Sequence, residues 1–465
     1  MTALHELSAH ELLAGYARRA FSPLEVCRAV IAHIERWEPR LQATWLYRPE
    51  AALAQARASE ARWQRGATCG ALDGVPGTLK ENIATTGDPM PGGTAASLAP
   101  IAAQDAPPAA RLREAGLVLL AKTTMPDWGM LSSGLSSFHR LARNPWDLTR
   151  TPGGSSAGAG AAAAAGYGPL HVGTDIGGSL RLPAAWCGIV TLKPSLGRVP
   201  IDPPYMGRCA GPLTRSAADA ALMMQVLSQP DARDSMSLPP QVLDWASVAA
   251  TPPRYLRGQR IGLLLDAGCG LPVDPQIQAA AAAAARLLEQ AGARITPMAP
   301  FLTRAMLDGL DHFWRMRSYL DVRALPPARL EKLLPYIREW AESAAGFSGT
   351  DVFQAYAQTH ATRVATVAAC APFDYVISPV APNLPAAAEA PSPTNDPLRP
   401  LEHIAFTVPY NMSEQPAASV NCGYSADGLP IGLQIAGRRF DDLGVLKLAR
   451  AFEQLRGPQK PWPTP

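Results

Sequence analysis

Residues 151–181, TPGGSSAGAGAAAAAGYGPLHVGTDIGGSLR, constrain this chain more than any other stretch. They hold two glycine-flanked serine clusters, Gly153-Gly154-Ser155-Ser156 and Gly177-Gly178-Ser179, separated by an alanine-glycine run and a short apolar segment. Side chains this small allow neighbouring backbones to approach closely, and glycine lets successive N–H groups converge on one point. A serine beside such a nest is either a nucleophile or a turn residue. The rest of the chain bears on which.

The surrounding pattern is α/β. Ser8/Glu11 and Ser22/Glu25 each fit a capping box, with Pro23 suited to the first helical position, so amphipathic helices begin at both. Together with helical spacing over residues 50–65 they predict a helical layer over about residues 1–65. Beyond it, helix starts and buried apolar runs alternate. Strands are expected at residues 116–121, 171–174, 189–192, 373–378 and 429–436, and helices at 156–166, 217–228 and 443–455. Residues 260–265, 275–291 and 293–298 read as a βαβ unit with Gly292 at the helix C-cap. Residues 306–345 read as helical and rich in aromatics, and the proline-rich residues 382–400 as an irregular surface loop. Helix followed by buried strand is the rhythm of a sheet with helices on its faces.

At 465 residues the chain is long enough for two or three ordinary domains or one large α/β unit. Lys+Arg 42 against Asp+Glu 39 leaves a net charge of +3 with no basic block, so no nucleic-acid footprint is expected and a small or neutral substrate is. No apolar run approaches the roughly 20 residues of a spanning helix, and residues 1–11 lack a signal-like pattern, so no membrane role and a cytoplasmic location are the expectations. The seven cysteines are scattered without a C-x-x-C pair, which predicts free core thiols and no metal site.

Three chemistries compete for the glycine-serine stretch. Gly158-Ala-Gly160-Ala-Ala-Ala163 matches a loose dinucleotide fingerprint, but residues 147–153 do not read as the strand that should precede it. Gly154-Ser-Ser156-Ala-Gly158 matches a nucleophile elbow centred on Ser156, yet Pro152 interrupts where a core strand should feed the turn. The third uses both clusters and a lysine: a buried lysine whose pKa falls towards neutrality can take the proton of a serine, with a second serine bridging them. Of six lysines, Lys80, Lys122 and Lys193 lie in or beside apolar segments, and spacing does not choose among them.

The ordered motifs Gly74-Val-Pro-Gly-Thr-Leu-Lys80-Glu, Gly153-Gly-Ser155-Ser156-Ala-Gly, Gly173-Thr-Asp-Ile-Gly-Gly-Ser179-Leu-Arg, Cys187-Gly-Ile-Val-Thr-Leu-Lys-Pro194, Gly211-Pro-Leu-Thr-Arg215 and Gly428-Leu-Pro-Ile-Gly-Leu-Gln434 resemble the amidase signature family. The likeness spans roughly residues 22–454. It implies one amidase signature domain over 1–465, a central mixed twisted β-sheet covered by helices on both faces, and a variable pocket region at about 300–400. It also implies Ser179 as nucleophile, Ser155 as the bridging serine in a cis peptide and Lys80 as general base, with Lys122 and Lys193 structural. The N–H groups of Ile176, Gly177, Gly178 and Ser179 would form the oxyanion hole, Asp175 and Arg181 would support that loop, and Gly129, Met130 and Ser155 would contact substrate. No cofactor is expected, and the partner is a small-molecule amide or carbamate for a monomer or homodimer.

The chain departs from the family's common wording at Glu414, where many members have glycine, and at Asn421, where proline is usual. Residues 197–210 depart from the wording of the glutamine-using component of transfer-RNA amidotransferases, which favours a free-standing hydrolase. Met125, Trp128, Met130 and Trp186, with the aromatics after Phe313, predict an apolar acyl or aryl pocket. Aryl or alkyl amides are the first substrate class, with carbamates or esters as the alternative.

Overall fold

The computed structural model describes residues 3–465. Eleven strands form one mixed sheet: β1 (Thr44–Trp45), β2 (Pro76–Lys80), β3 (Val118–Thr123), β4 (Leu170–Asp175), β5 (Val190–Lys193), β6 (Cys209–Thr214), β7 (Arg260–Leu263), β8 (Arg294–Pro297), β9 (Tyr375–Pro379), β10 (Ala417–Tyr424) and β11 (Pro430–Gly437), in the order β1-β3-β2-β4-β6-β5-β10-β11-β9-β7-β8. β2 pairs in parallel with β3 and β4, and β7 with β8 and β9, while the remaining pairings are antiparallel. The central strands β2, β4, β5, β6, β9 and β11 are buried along their whole length. Burial on both sides demands cover on both faces, and helices supply it in this α/β fold. No helix among the described residues is long and apolar enough to cross a membrane.

The N-terminal layer is helical as expected, with Ala9–Ala17, Pro23–Leu41 and Pro49–Arg65, and both capping boxes form. The βαβ unit forms as β7, the helix Pro275–Gln290 and β8, with Gly292 at φ 103 just past the helix end.

Other expectations need correcting. β2, β6 and β10 do not show in the sequence pattern, because Pro76 and Gly77 open the first, Gly211-Pro212 interrupts the second, and Asn421 with Gly423 breaks the third. The segment expected as one helix over 306–345 is three, Arg304–Arg323, Pro327–Leu330 and Pro335–Glu342, each break falling at a proline. A 22-residue helix, Gly349–Cys370, follows with a capping box at Ser348/Asp351 and packs against Arg304–Arg323. Residues 382–400 are irregular but are not a purely surface loop: Ala388 and Ser392 are buried. Of the cysteines, Cys69 is exposed rather than a core thiol.

The helix Ala157–Ala165 explains the alanine-glycine run. All nine residues are buried, and a Cβ on Gly158 would stand 2.1 Å from the Ala43 carbonyl oxygen and 2.5 Å from the Thr124 nitrogen. Only glycine permits that approach, which lets the Gly158 N–H donate to the Thr124 carbonyl at 3.1 Å.

Candidate active site

Parallel pairing of β2 with β4 sets Gly77, Thr78 and Leu79 opposite Leu170, His171 and Val172, so Lys80 ends its strand beside the last residues of β4. Its Nζ donates to Ser155 Oγ at 2.8 Å and to Thr174 Oγ1 at 3.0 Å. Asn82 Nδ2 donates to the same threonine oxygen at 3.1 Å. Lys80 is 0% exposed, and burial lowers its pKa from 10.5 to about 7, against the opposing pull of Asp175 and Glu81.

The two serine clusters meet at backbone level, where the Ser156 N–H donates to the Ser179 carbonyl at 3.2 Å. The Gly154–Ser155 peptide is cis. Ser155 and Ser179 line one cavity of about 320 Å³ with Thr174 and Ile176. Ser156 does not reach it. It is fully buried, its Oγ donating to the Thr174 carbonyl at 3.1 Å and accepting the Thr174 N–H at 3.2 Å. That side chain fixes the end of β4, and the elbow reading has no accessible hydroxyl. The glycines of the loose dinucleotide fingerprint are likewise sealed inside a helix.

Lys122 and Lys193 lie elsewhere. Lys122 Nζ donates to the Ile83 carbonyl and to Thr85 Oγ1, and Lys193 Nζ donates to the Pro194 carbonyl at 2.8 Å. Only Lys80 is brought to a serine of the glycine-serine stretch.

The turn after β4 is held by a buried ion pair. Asp175 accepts from Arg181 Nη2 at 2.9 Å and Nε at 3.0 Å, and both side chains are closed to solvent. Burial opposes the Asp175 carboxylate, but Arg181 and Asn411 outweigh it and hold its pKa well below the usual carboxylate range. Arg181 also donates to the Thr407 carbonyl, Gln434 Oε1 and Asn411 Oδ1. Asp175 Oδ1 accepts the Gly178 N–H at 2.9 Å, which corrects one expectation: that N–H is engaged and does not face the cavity as a free donor. Among the described residues the N–H groups of Ile176, Gly177 and Ser179 donate to no protein group. Trp314 packs beside Gly177, since a Cβ there would lie 3.2 Å from its ring.

Gly129 and Met130 line the same cavity. Trp128 and Gly129 take successive left-handed conformations, φ 48 and 69, and a Cβ on Gly129 would stand 3.1 Å from Ser155 Oγ. The expected apolar pocket is only half right. Met125, Trp128 and Met130 line it, but Trp186 is buried in the core with its indole N–H on the Asn383 carbonyl. From helix Arg304–Arg323 the residues that reach the cavity are Arg317, Ser318 and Asp321, while Trp314 faces the core. Sequence reasoning assigned no role to Thr174, Asn82 or Asn411: Thr174 accepts from Lys80 and Asn82, and Asn411 donates to Asp175, contacts that the Gly173–Ser179 motif containing Thr174 does not reveal.

The family model described as Amidase matches residues 25–446. The chain belongs to the amidase signature family, whose enzymes act on C–N bonds. The A component of the Myxococcus xanthus glutamyl-tRNA(Gln) amidotransferase is 35% identical over 97% of this chain and 97% of its own. The same component from Chloroflexus aggregans is 32% identical over 98% and 97%. Among solved structures, a bacterial aryl acylamidase of the amidase signature family superposes with a TM-score of 0.89 at 29% identity, covering 97% of this chain and 96% of that one. Peptide amidase from Stenotrophomonas maltophilia superposes at 0.82 and 26%, covering 98% of each. The divergence across residues 197–210 therefore does not by itself set this chain apart from the amidotransferase component.

Proposed function

We propose that the protein is a serine hydrolase that cleaves the C–N bond of small amides, aryl or alkyl amides first, through an acyl-enzyme on Ser179. The observation that carries this reading is the 2.8 Å contact between a fully buried Lys80 and Ser155 in the cavity that also holds Ser179. A lysine with a pKa of about 7 is half neutral at neutral pH and so has a lone pair to accept a proton. Ser179 Oγ attacks the amide carbonyl carbon while its proton passes to Ser155, whose own proton passes to Lys80. The negative charge that develops on the carbonyl oxygen is met by the N–H groups of Ile176, Gly177 and Ser179. The relay then runs backwards: Lys80 returns the proton through Ser155 to the nitrogen, the C–N bond breaks and the amine leaves. Water enters by the same relay and releases the carboxylic acid.

The test is covalent. A fluorophosphonate probe is expected to label Ser179, located by peptide mass mapping, and a screen of anilides, primary amides, ureas, carbamates and p-nitrophenyl esters to show turnover of amides. Labelling elsewhere, or no turnover of any amide, overturns the reading.

A second reading, a glutamine-using amidotransferase component with partner chains, is favoured by the names of the relatives at 35% and 32% identity. Release of ammonia from L-glutamine by the isolated chain, stimulated by partner chains that bind transfer RNA, would establish it. Carbamates and esters use the same acyl-transfer steps, and the screen ranks them against amides.

A further inference from the structure

Among the described residues, two arginines line the cavity of Ser179 without a direct ion pair to a carboxylate. Arg317 comes from helix Arg304–Arg323 and Arg208 from the turn ahead of β6. Their guanidinium carbons stand 5.3 and 6.0 Å from the centre of the Tyr205 ring, which also lines the cavity. Among the described residues, neither guanidinium has a carboxylate oxygen within 4.0 Å. On the same helix Arg304 pairs with Glu402 at 2.7 Å and Arg315 with Asp311 at 2.5 Å, whereas Arg323 lies over the Tyr319 ring at 5.9 Å.

The contacts these two guanidiniums do make are weak or partial. Arg317 Nη2 lies 2.8 Å from Met130 Sδ, a poor acceptor, and Arg208 donates to the Pro203 carbonyl. Asp321, one turn beyond Arg317 and in the same cavity, acts on Arg317 through space, as Asp202 and Asp234 act on Arg208. Burial and the neighbouring Arg317 both disfavour the charge on Arg208, yet guanidinium stays protonated in proteins. Two like charges sharing a part-buried cavity repel unless an anion comes between them. A guanidinium fork matches a carboxylate with two parallel hydrogen bonds, and most of the N–H groups here are uncommitted.

We infer that Arg208 and Arg317 form an anion clamp that sets the specificity of this cavity, and that the amide it takes carries a carboxylate away from the scissile carbonyl. The inference rests on the hydrolase reading above and narrows its substrate class from apolar to anionic amides. The side chains of Met125 and Trp128 then contact the hydrocarbon part, and the clamp holds the charged end.

The experiment compares 4-anilino-4-oxobutanoate with 4-methylpentananilide, its uncharged isostere, by release of aniline. Wild-type kcat/KM is expected to favour the carboxylate by about 10- to 100-fold, the range of one or two charge-assisted hydrogen bonds. Arg317→Ala and Arg208→Ala are each expected to reduce that ratio about tenfold, and Arg317→Lys to restore part of it. Lys332→Ala, an exposed charge outside the cavity, is expected to leave the ratio as it is. A wild-type ratio of one or less, or a ratio that survives both arginine-to-alanine changes, overturns the clamp. Binding to Ser179→Ala, followed by quenching of tryptophan fluorescence, separates the two claims. Preferential binding of the carboxylate with no hydrolysis by wild type upholds the clamp and overturns the hydrolase reading. Equal hydrolysis of both anilides upholds the hydrolase and overturns the clamp.

Discussion

Replacing Lys80 by methionine is expected to slow turnover by orders of magnitude and to make the protein more stable. The side chain is fully buried, and its pKa falls from 10.5 to about 7. At about 1.36 kcal/mol per unit, holding this lysine in place at pH 7 costs about 5 kcal/mol. Methionine keeps the unbranched shape without the charge but loses the hydrogen bonds to Ser155 and Thr174, worth about 1 kcal/mol each. The net gain is about 2–3 kcal/mol, or roughly 2–3 °C in Tm for a chain of this length.

The pH dependence fixes the sign. Between about pH 7 and 10.5 the unfolded lysine holds a proton that the folded one lacks, so wild-type stability gains on the variant as pH rises through that window. The gap in favour of Lys80→Met is therefore full below pH 7 and closes towards pH 10. Differential scanning at pH 6.5, 8 and 10 measures it. Loss of the base should lower kcat/KM by about 10²–10⁴, and the wild-type profile should rise with pH, pass its midpoint at about 7 and level off above it. A variant with wild-type turnover, or one less stable than wild type at pH 6.5, would refute the reasoning.

Ser156→Ala is expected to keep fluorophosphonate labelling at Ser179 while lowering stability by about 1 kcal/mol, since it removes a hydroxyl bonded at both ends to Thr174; lost labelling in a folded variant would return Ser156 to the chemistry. Gly129→Val places a branched side chain at φ 69 with its Cβ 3.1 Å from Ser155 Oγ, so anilide turnover should fall at least tenfold while circular dichroism stays native. Asp175→Ala leaves Arg181 charged and unpaired at 0% exposure, which should destabilise the protein by about 3–5 kcal/mol in chemical denaturation. Because the Asp175 pKa is depressed, its contribution is present above the ordinary carboxylate range and is lost as pH falls through the lowered value, so the gap between wild type and variant should shrink in acid.

Much of the architecture is legible because the hydrophobic pattern and the capping chemistry are local. Ser8/Glu11, Ser22/Glu25 and Gly292 mark helix ends by interactions within a few residues, and the βαβ unit ending at β8 follows from its periodicity alone. Strands β2 and β6 are not legible, since glycine and proline occupy them for reasons of packing against neighbours far away in the chain. The break at Pro326-Pro327 could be read from sequence, but the helix Gly349–Cys370 hides its period, because Phe353, Val364 and Val367 face solvent while Thr359, Thr362 and Thr366 are buried.

By itself the sequence determined which residue types are available to the site: two serine clusters with glycine on either side, a run of residues too small to hold neighbours apart, and three lysines in apolar surroundings. It could not choose among those lysines, because the choice depends on strand register. Pairing of β2 with β4 carries Lys80 across 75 residues to Ser155, while Lys122 and Lys193 turn to backbone carbonyls. The tertiary structure likewise decided that Gly178 gives its N–H to Asp175 and that Arg208 and Arg317 meet beside Tyr205. Both depend on where separate segments converge, and a linear pattern carries no record of that distance.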